Sequence, residues 1–167
     1  MYTINEQNAL DIALKLFRFQ VGHNPVYGNY THHLGVNPDK VKTFKDIPFL
    51  PISFFKNHRI QSGSWEPATT FTSSGTTGST TSAHLIADID FYIDHAERCF
   101  THFFGPLSGY HIFALMPSYL ERTGSSLIAM LESFVKKTNS PFSDFYLYDY
   151  EKLAHDLTQA KKDKRKI

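Results

Sequence analysis

The ten residues Phe71-Thr72-Ser73-Ser74-Gly75-Thr76-Thr77-Gly78-Ser79-Thr80 crowd two glycines and a series of hydroxyl side chains into one stretch. Glycine accepts the φ > 0 conformations that turn successive N–H groups into an anion-binding concavity. Ser and Thr hydroxyls add donors for phosphate oxygens, and small side chains let a bulky anion reach the main chain. The chemistry suggested is phosphate handling, that of a nucleotide in particular. Two other readings compete: Ser/Gly-rich runs serve as flexible tethers, and Thr-rich runs cap neighbouring elements. The flanks favour a fixed loop, because residues 68–72 and 81–87 both read as β-prone segments. The run is not a Walker P-loop, which needs Lys directly after its second glycine and a helix at once. Here Gly78 is followed by Ser79-Thr80-Thr81, and helical periodicity resumes only near Asp88.

Residues 117–126 form a second candidate. They come after a predicted strand over 110–116, and ligands of α/β sheets bind beyond the carboxyl ends of strands. Ser125 and Ser126 sit where they would cap the next helix, whose N-terminus favours an anion. Arg122 can supply a bidentate contact to phosphate or carboxylate. The alternative is a helix cap beside an exposed Glu121–Arg122 pair of little energetic value. His95, Cys99 and His102 lie at i, i+4 and i+7 on one predicted helix, a spacing that can serve Zn²⁺ or Cu⁺. One helix rarely closes such a site and no second Cys/His cluster completes it, so no metal ligand set is assigned. Cys99 reads instead as a core cysteine beside an apolar helix face.

The elements that would position these residues are legible from periodicity. Residues 5–21 are amphipathic, with Ala9, Ile12, Ala13, Leu16 and Phe17 at helical spacing; Thr3 and Glu6 offer a capping box, and Gly22 an end. Asn24-Pro25 and Asn37-Pro38 each read as an N-cap followed by proline at the first helical position. Beyond Thr69 strands and helices alternate. Helices are expected over 88–104, with Ile89, Tyr92, Ile93, Ala96, Phe100 and Phe103 on one face, over 125–137 and over 151–160. Strands are expected over 110–116 and 145–148. The fold class expected is α/β, a helical N-terminal region (1–68) followed by a strand–helix alternating sheet (69–167).

Seventeen basic and sixteen acidic residues leave a net charge of +1, so no broad field favours nucleic acid or an anionic membrane. The lone cysteine rules out an intrachain disulfide and fits a reducing compartment. With no secretory leader and no run long enough to span a bilayer, a cytoplasmic protein without a membrane span is expected. Fifteen Phe and nine Tyr must largely fill the core; any left exposed would mark a partner surface.

Three ordered blocks carry a family resemblance. Ser73-Ser74-Gly75-Thr76-Thr77-Gly78 resembles the phosphate-binding signature of adenylate-forming ligases. Phe49-Leu50-Pro51-Ile52-Ser53-Phe54-Phe55-Lys56 upstream narrows this to the LuxE-type acyl-protein synthetases. Leu115-Met116-Pro117-Ser118-Tyr119-Leu120-Glu121-Arg122-Thr123-Gly124-Ser125-Ser126-Leu127 downstream strengthens it. The resemblance covers the first half of the family and implies an incomplete adenylate-forming catalytic domain. It implies that ATP and Mg²⁺ are bound, and that a fatty or other carboxylic acid becomes an acyl-adenylate. The acyl group then passes to a thiol, on a protein cysteine, coenzyme A or a carrier protein, with an acyl reductase as partner enzyme.

By the same resemblance Ser73, Ser74, Gly75, Thr76, Thr77 and Gly78 would bind phosphate, with Arg122 and His84 as catalytic candidates. His84 would contact phosphate or the acyl group, or is a satisfied histidine at a sheet edge. One departure stands out: Thr80-Thr81 occupies the place of the superfamily's Pro-Lys. Two other functions stay open, a non-catalytic binding or assembly module that keeps the scaffold, and a relative of the phenylacetate–CoA ligases. The charged run Lys161-Lys162-Asp163-Lys164-Arg165-Lys166-Ile167 reads as a solvated basic tail. Equally it can be the lead into a further strand, which the resemblance favours.

Overall fold

The computed structural model describes residues 4–73, 81–117 and 124–167. Chain contacts divide them into two units. One holds the described residues within Met1–Glu66 and Ser73–Leu85, the other those within Pro67–Thr72 and Ile86–Ile167.

The first unit is built on two helices, α1 (Ala9–His23) and α2 (Pro25–His33). The turn between them is a single residue. Asn24 ends α1 by donating its N–H to the Gln20 carbonyl, and its side chain accepts from the Tyr27 N–H (3.1 Å) to start α2. Pro25 occupies the first position of α2, where no amide is needed. This stop outweighs Gly22, so α1 runs through the expected glycine end to His23. The start of α1 also differs. Asn8 is its N-cap, and the Asn5 side chain accepts the N–H groups of Gln7 and Asn8; Thr3 of the expected capping box lies outside the described residues.

Phe17, Tyr27, Val41 and Ile47 form the core of this unit, with Leu14, Val21 and Leu50 packed against it. Two short 3-10 turns, Pro38–Lys40 and Phe44–Asp46, and the short helix α3 (Phe54–Asn57) complete it. Asn37-Pro38 therefore opens a single 3-10 turn rather than a helix.

The second unit alternates strands and helices: β1 (Thr69–Thr72), α4 (Ile89–Phe104), β3 (Phe113–Ala114), α5 (Ser126–Thr138), β4 (Asp144–Phe145) and α6 (Tyr150–Ala160). The strand β2 (Ala83–Ile86) precedes α4, its residues through Leu85 belonging to the first unit. β3 and β4 pair in parallel, Phe113 with Asp144 and Ala114 with Phe145, and α5 is the crossover that parallel strands require. Asp88, Ser125 and Asp149 cap α4, α5 and α6 through their side chains. Phe100 of α4 meets Phe134 of α5 edge-on (5.3 Å) and Tyr110 (5.2 Å), and Lys137 is paired with Glu97 across the same helices.

The fold is thus mixed α/β, as the alternating pattern indicates. The expected strands over 110–116 and 145–148 are, however, two-residue strands, one of them shifted towards Asp144. Ladder bonds exist only where a partner runs alongside, and β3 and β4 overlap for two residues. The described strands show a mixed fold and do not by themselves amount to an adenylate-forming domain. Among the described residues no helix is long and apolar enough to cross a membrane.

Candidate functional site

The hydroxyl-rich run leaves β1 at Ser73 and returns before β2. Its two ends are fastened to each other: the Ser73 N–H donates to the Ser82 carbonyl (3.1 Å), and the Ser82 N–H donates to Ser73 Oγ (3.0 Å). Ser82 is buried. Because Ser73 Oγ accepts from the main chain, its own O–H proton is left to donate elsewhere. Ser74, Gly75, Thr76, Thr77 and Gly78 lie outside the described residues, as does Arg122. Of the eight site residues expected from sequence, the structure describes Ser73 and His84.

His84 projects from β2. Its Nε2 lies 3.5 Å from Ser82 Oγ, and its ring stacks on Phe55 at 4.6 Å with the planes 19° apart. Ser73, Ser82, His84 and Phe55 therefore form one continuous cluster at the neck of the loop. Among the described residues no carboxylate pairs with His84, so nothing of the Asp–His kind orients it for proton transfer.

Gly124 of the second expected block meets β1 at its last residue, Thr72. The Thr72 N–H donates to the Gly124 carbonyl (2.8 Å), so the residue before Ser73 is tied to the start of α5. Gly124 adopts φ +78°, a left-handed conformation that favours glycine. Next to it Ser125 Oγ accepts the Ile128 N–H (3.4 Å), the cap expected from the sequence. The Tyr92 hydroxyl donates to the Ser126 carbonyl (3.3 Å), and the Tyr92 ring lies 5.1 Å from that of buried Phe71.

The helix-borne histidines and cysteine do not form a centre. His95 Nε2 is 3.7 Å from Cys99 Sγ, but among the described residues no group of three or more His, Cys, Asp or Glu is placed to hold a metal ion. Cys99 is exposed, which corrects its expected place in the core. Phe103, expected on the buried face of α4, is 75 % exposed. With the inward stripe of α4 filled by Tyr92 and Phe100, Phe103 falls on the outer side.

One cluster has no counterpart among the sequence motifs. His111 is fully buried; its Nδ1 sits 2.6 Å from Ser140 Oγ, and its Nε2 lies 3.5 Å from Asp163 Oδ2. Thr138 Oγ1 and Ser143 Oγ extend the network, with Thr138 donating at 2.8 Å. Ser140 is 29 positions from His111, and no local spacing signals the pairing. The cluster joins α5, β3 and the C-terminal segment, a positioning role.

Comparison with protein-family models, curated proteins and solved structures finds no match for this chain.

Proposed function

We propose that the chain belongs to the acid–thiol ligase chemistry its motifs resemble, with Ser73 and the loop after it holding the phosphates of ATP–Mg²⁺. The observation that carries this reading is the reciprocal Ser73–Ser82 pair. It holds together the two described flanks of the hydroxyl-rich run, Ser73 before it and Ser82 after it. A clamped loop loses less conformational entropy when it orders around an anion, which is what a phosphate cradle requires.

In this reading the Ser73 hydroxyl, freed to donate, faces a phosphate oxygen, and the loop amides supply the remaining donors. His84, held flat on Phe55, contacts the substrate side of the neck, while Arg122 and the capped start of α5 offer positive potential near the second block. The carboxylate oxygen of the acid attacks the α-phosphorus and pyrophosphate departs. A thiolate then attacks the acyl carbon and AMP departs. Positioning and charge stabilisation carry most of such phosphoryl chemistry.

The test is ATP–pyrophosphate exchange in the presence of fatty acids of graded length. Exchange is expected, and combined Ser74→Ala, Gly75→Ala and Thr76→Ala should reduce it by about a hundredfold or more, the scale of losing preorganised oxyanion donors. Exchange that survives this triple change removes the loop from the mechanism. A second reading, a binding module without turnover, rests on Thr81 where the superfamily carries lysine. Calorimetric titration with ATP–Mg²⁺ separates the two: heat of binding without exchange favours the module.

A further inference from the structure

The segment between α2 and α3 alternates anchored and presented side chains. Ile47 is buried at 8 % exposure and Leu50 packs on the same core, whereas Phe49 and Ile52 are 74 % and 75 % exposed. The backbone beneath them is held in place. The Tyr27 hydroxyl donates to the Pro48 carbonyl (2.8 Å) and the Tyr30 hydroxyl to the Phe49 carbonyl (3.4 Å). Pro48 and Pro51 each fix one φ angle beside the exposed residues. Two large apolar side chains thus stand in water on a main chain that is pinned from below. Phe44, half exposed, adds a third.

Charge is concentrated in the same stretch. Residues 39–59 contain Lys40, Lys42, Lys45, Lys56 and Arg59, all exposed, against Asp39 and Asp46. That local surplus of three positive charges exceeds the net +1 of the whole chain, so the remainder is slightly acidic. Asp46 is itself engaged by the Thr43 hydroxyl and by the N–H groups of Lys42 and Thr43. Near-neutrality of the whole molecule therefore hides a basic, apolar-tipped surface.

We propose that this surface docks peripherally on an anionic lipid bilayer, Phe49 and Ile52 entering the headgroup region and the surrounding cations facing lipid phosphates and carboxylates. Exposed apolar tips and exposed cations within one stretch of chain are the composition that interfacial binding requires: area buried at the acyl boundary plus attraction to anionic headgroups. A nucleic acid would engage the cations but give Phe49 and Ile52 no apolar phase to enter. An acidic protein surface would need a matching pocket for both.

The experiment is cosedimentation of the full chain with phosphatidylcholine vesicles, with and without phosphatidylserine. Partitioning onto the anionic vesicles is expected to exceed that onto phosphatidylcholine by about tenfold or more, each cation near the surface adding a few-fold, and to weaken as salt screens the attraction. The Phe49→Ser/Ile52→Ser variant, altered only at solvent-facing side chains, should keep its circular dichroism and lose most of the partitioning. The Lys42→Glu/Lys45→Glu/Lys56→Glu variant should lose the preference for phosphatidylserine. Equal sedimentation with both vesicle types overturns the proposal, as does undiminished binding by the Phe49/Ile52 variant. So does tighter retention on heparin or polyglutamate than on vesicles, which would assign the surface to a soluble polyanion.

Discussion

Asp46 shows how one exposed carboxylate can set the course of a loop. It accepts from the Thr43 hydroxyl (2.9 Å) and from the N–H groups of Thr43 (2.9 Å) and Lys42 (3.2 Å), closing a capping box on a single 3-10 turn. The Thr43 hydroxyl first, then the two amides, hold its carboxyl below the ordinary aspartate range. The ionised form is the one bound, so its contribution to stability is present above the unfolded-state value and is lost as pH falls through the lower folded-state value. Asp46→Asn should therefore lower the urea midpoint at neutral pH and flatten the fall in stability on the acid side. An unchanged acid limb would show that the three hydrogen bonds do not persist in solution. Because the turn leads into Ile47 and Phe49, the same substitution should loosen the presented loop.

At the scale of elements, what the sequence revealed and what it hid divide along physical lines. Asn24-Pro25, Asp88 and Ser125 announce helix starts because a cap is a contact within three residues, complete in local sequence. Strand lengths were not legible in the same way, since β3 and β4 extend only as far as their partner, some thirty positions away, runs beside them. The clamp at Ser73 and Ser82 was foreshadowed by two β-prone flanks, yet nothing in the sequence set His84 on Phe55. The exposure of Cys99 and Phe103 was hidden because a helical repeat defines a stripe but not its width.

The close approach of α1 and α2 belongs to this scale too. A Cβ built on Gly28 would lie 2.7 Å from the Val21 carbonyl oxygen, a main-chain atom that cannot swing aside. Gly28→Ala should therefore cost about 1–3 kcal/mol despite adding a good helix former, because the helices must separate to admit it. Urea denaturation followed by helix content measures the loss; a stabilised variant would mean that the two helices pack less tightly than the structure shows.

For the molecule as a whole, the instructive segment is the last one. Lys161 to Ile167 reads as a solvated tail by charge and as a strand lead-in by its final residue. Side chains of the segment are mostly exposed, but its main chain is not free. Lys166 forms a parallel bridge with Tyr110: the His111 N–H donates to the Lys166 carbonyl (2.7 Å), and the Lys166 N–H donates to the Gly109 carbonyl (2.9 Å). Arg165 bonds the carbonyls of Thr138 and Asn139, and Asp163 faces buried His111.

Successive strand residues turn their main-chain groups to opposite edges. His111 engages Lys166, whereas Ile112 accepts from Asp144, so the segment and β4 flank opposite edges of the chain leading through β3. Two runs, the last segment and β4, thus flank one central strand in parallel. If those bonds hold the segment, Lys166→Pro, which removes the amide and leaves the Gly109 carbonyl without its donor, should cost about 1–2 kcal/mol. Lys166→Ala keeps the amide and forfeits only the ammonium 5.5 Å from the Tyr110 ring, a loss of about 0.5–1 kcal/mol or less. Equal urea midpoints for the two variants would mean that the side chain, not strand pairing, tethers this end of the chain.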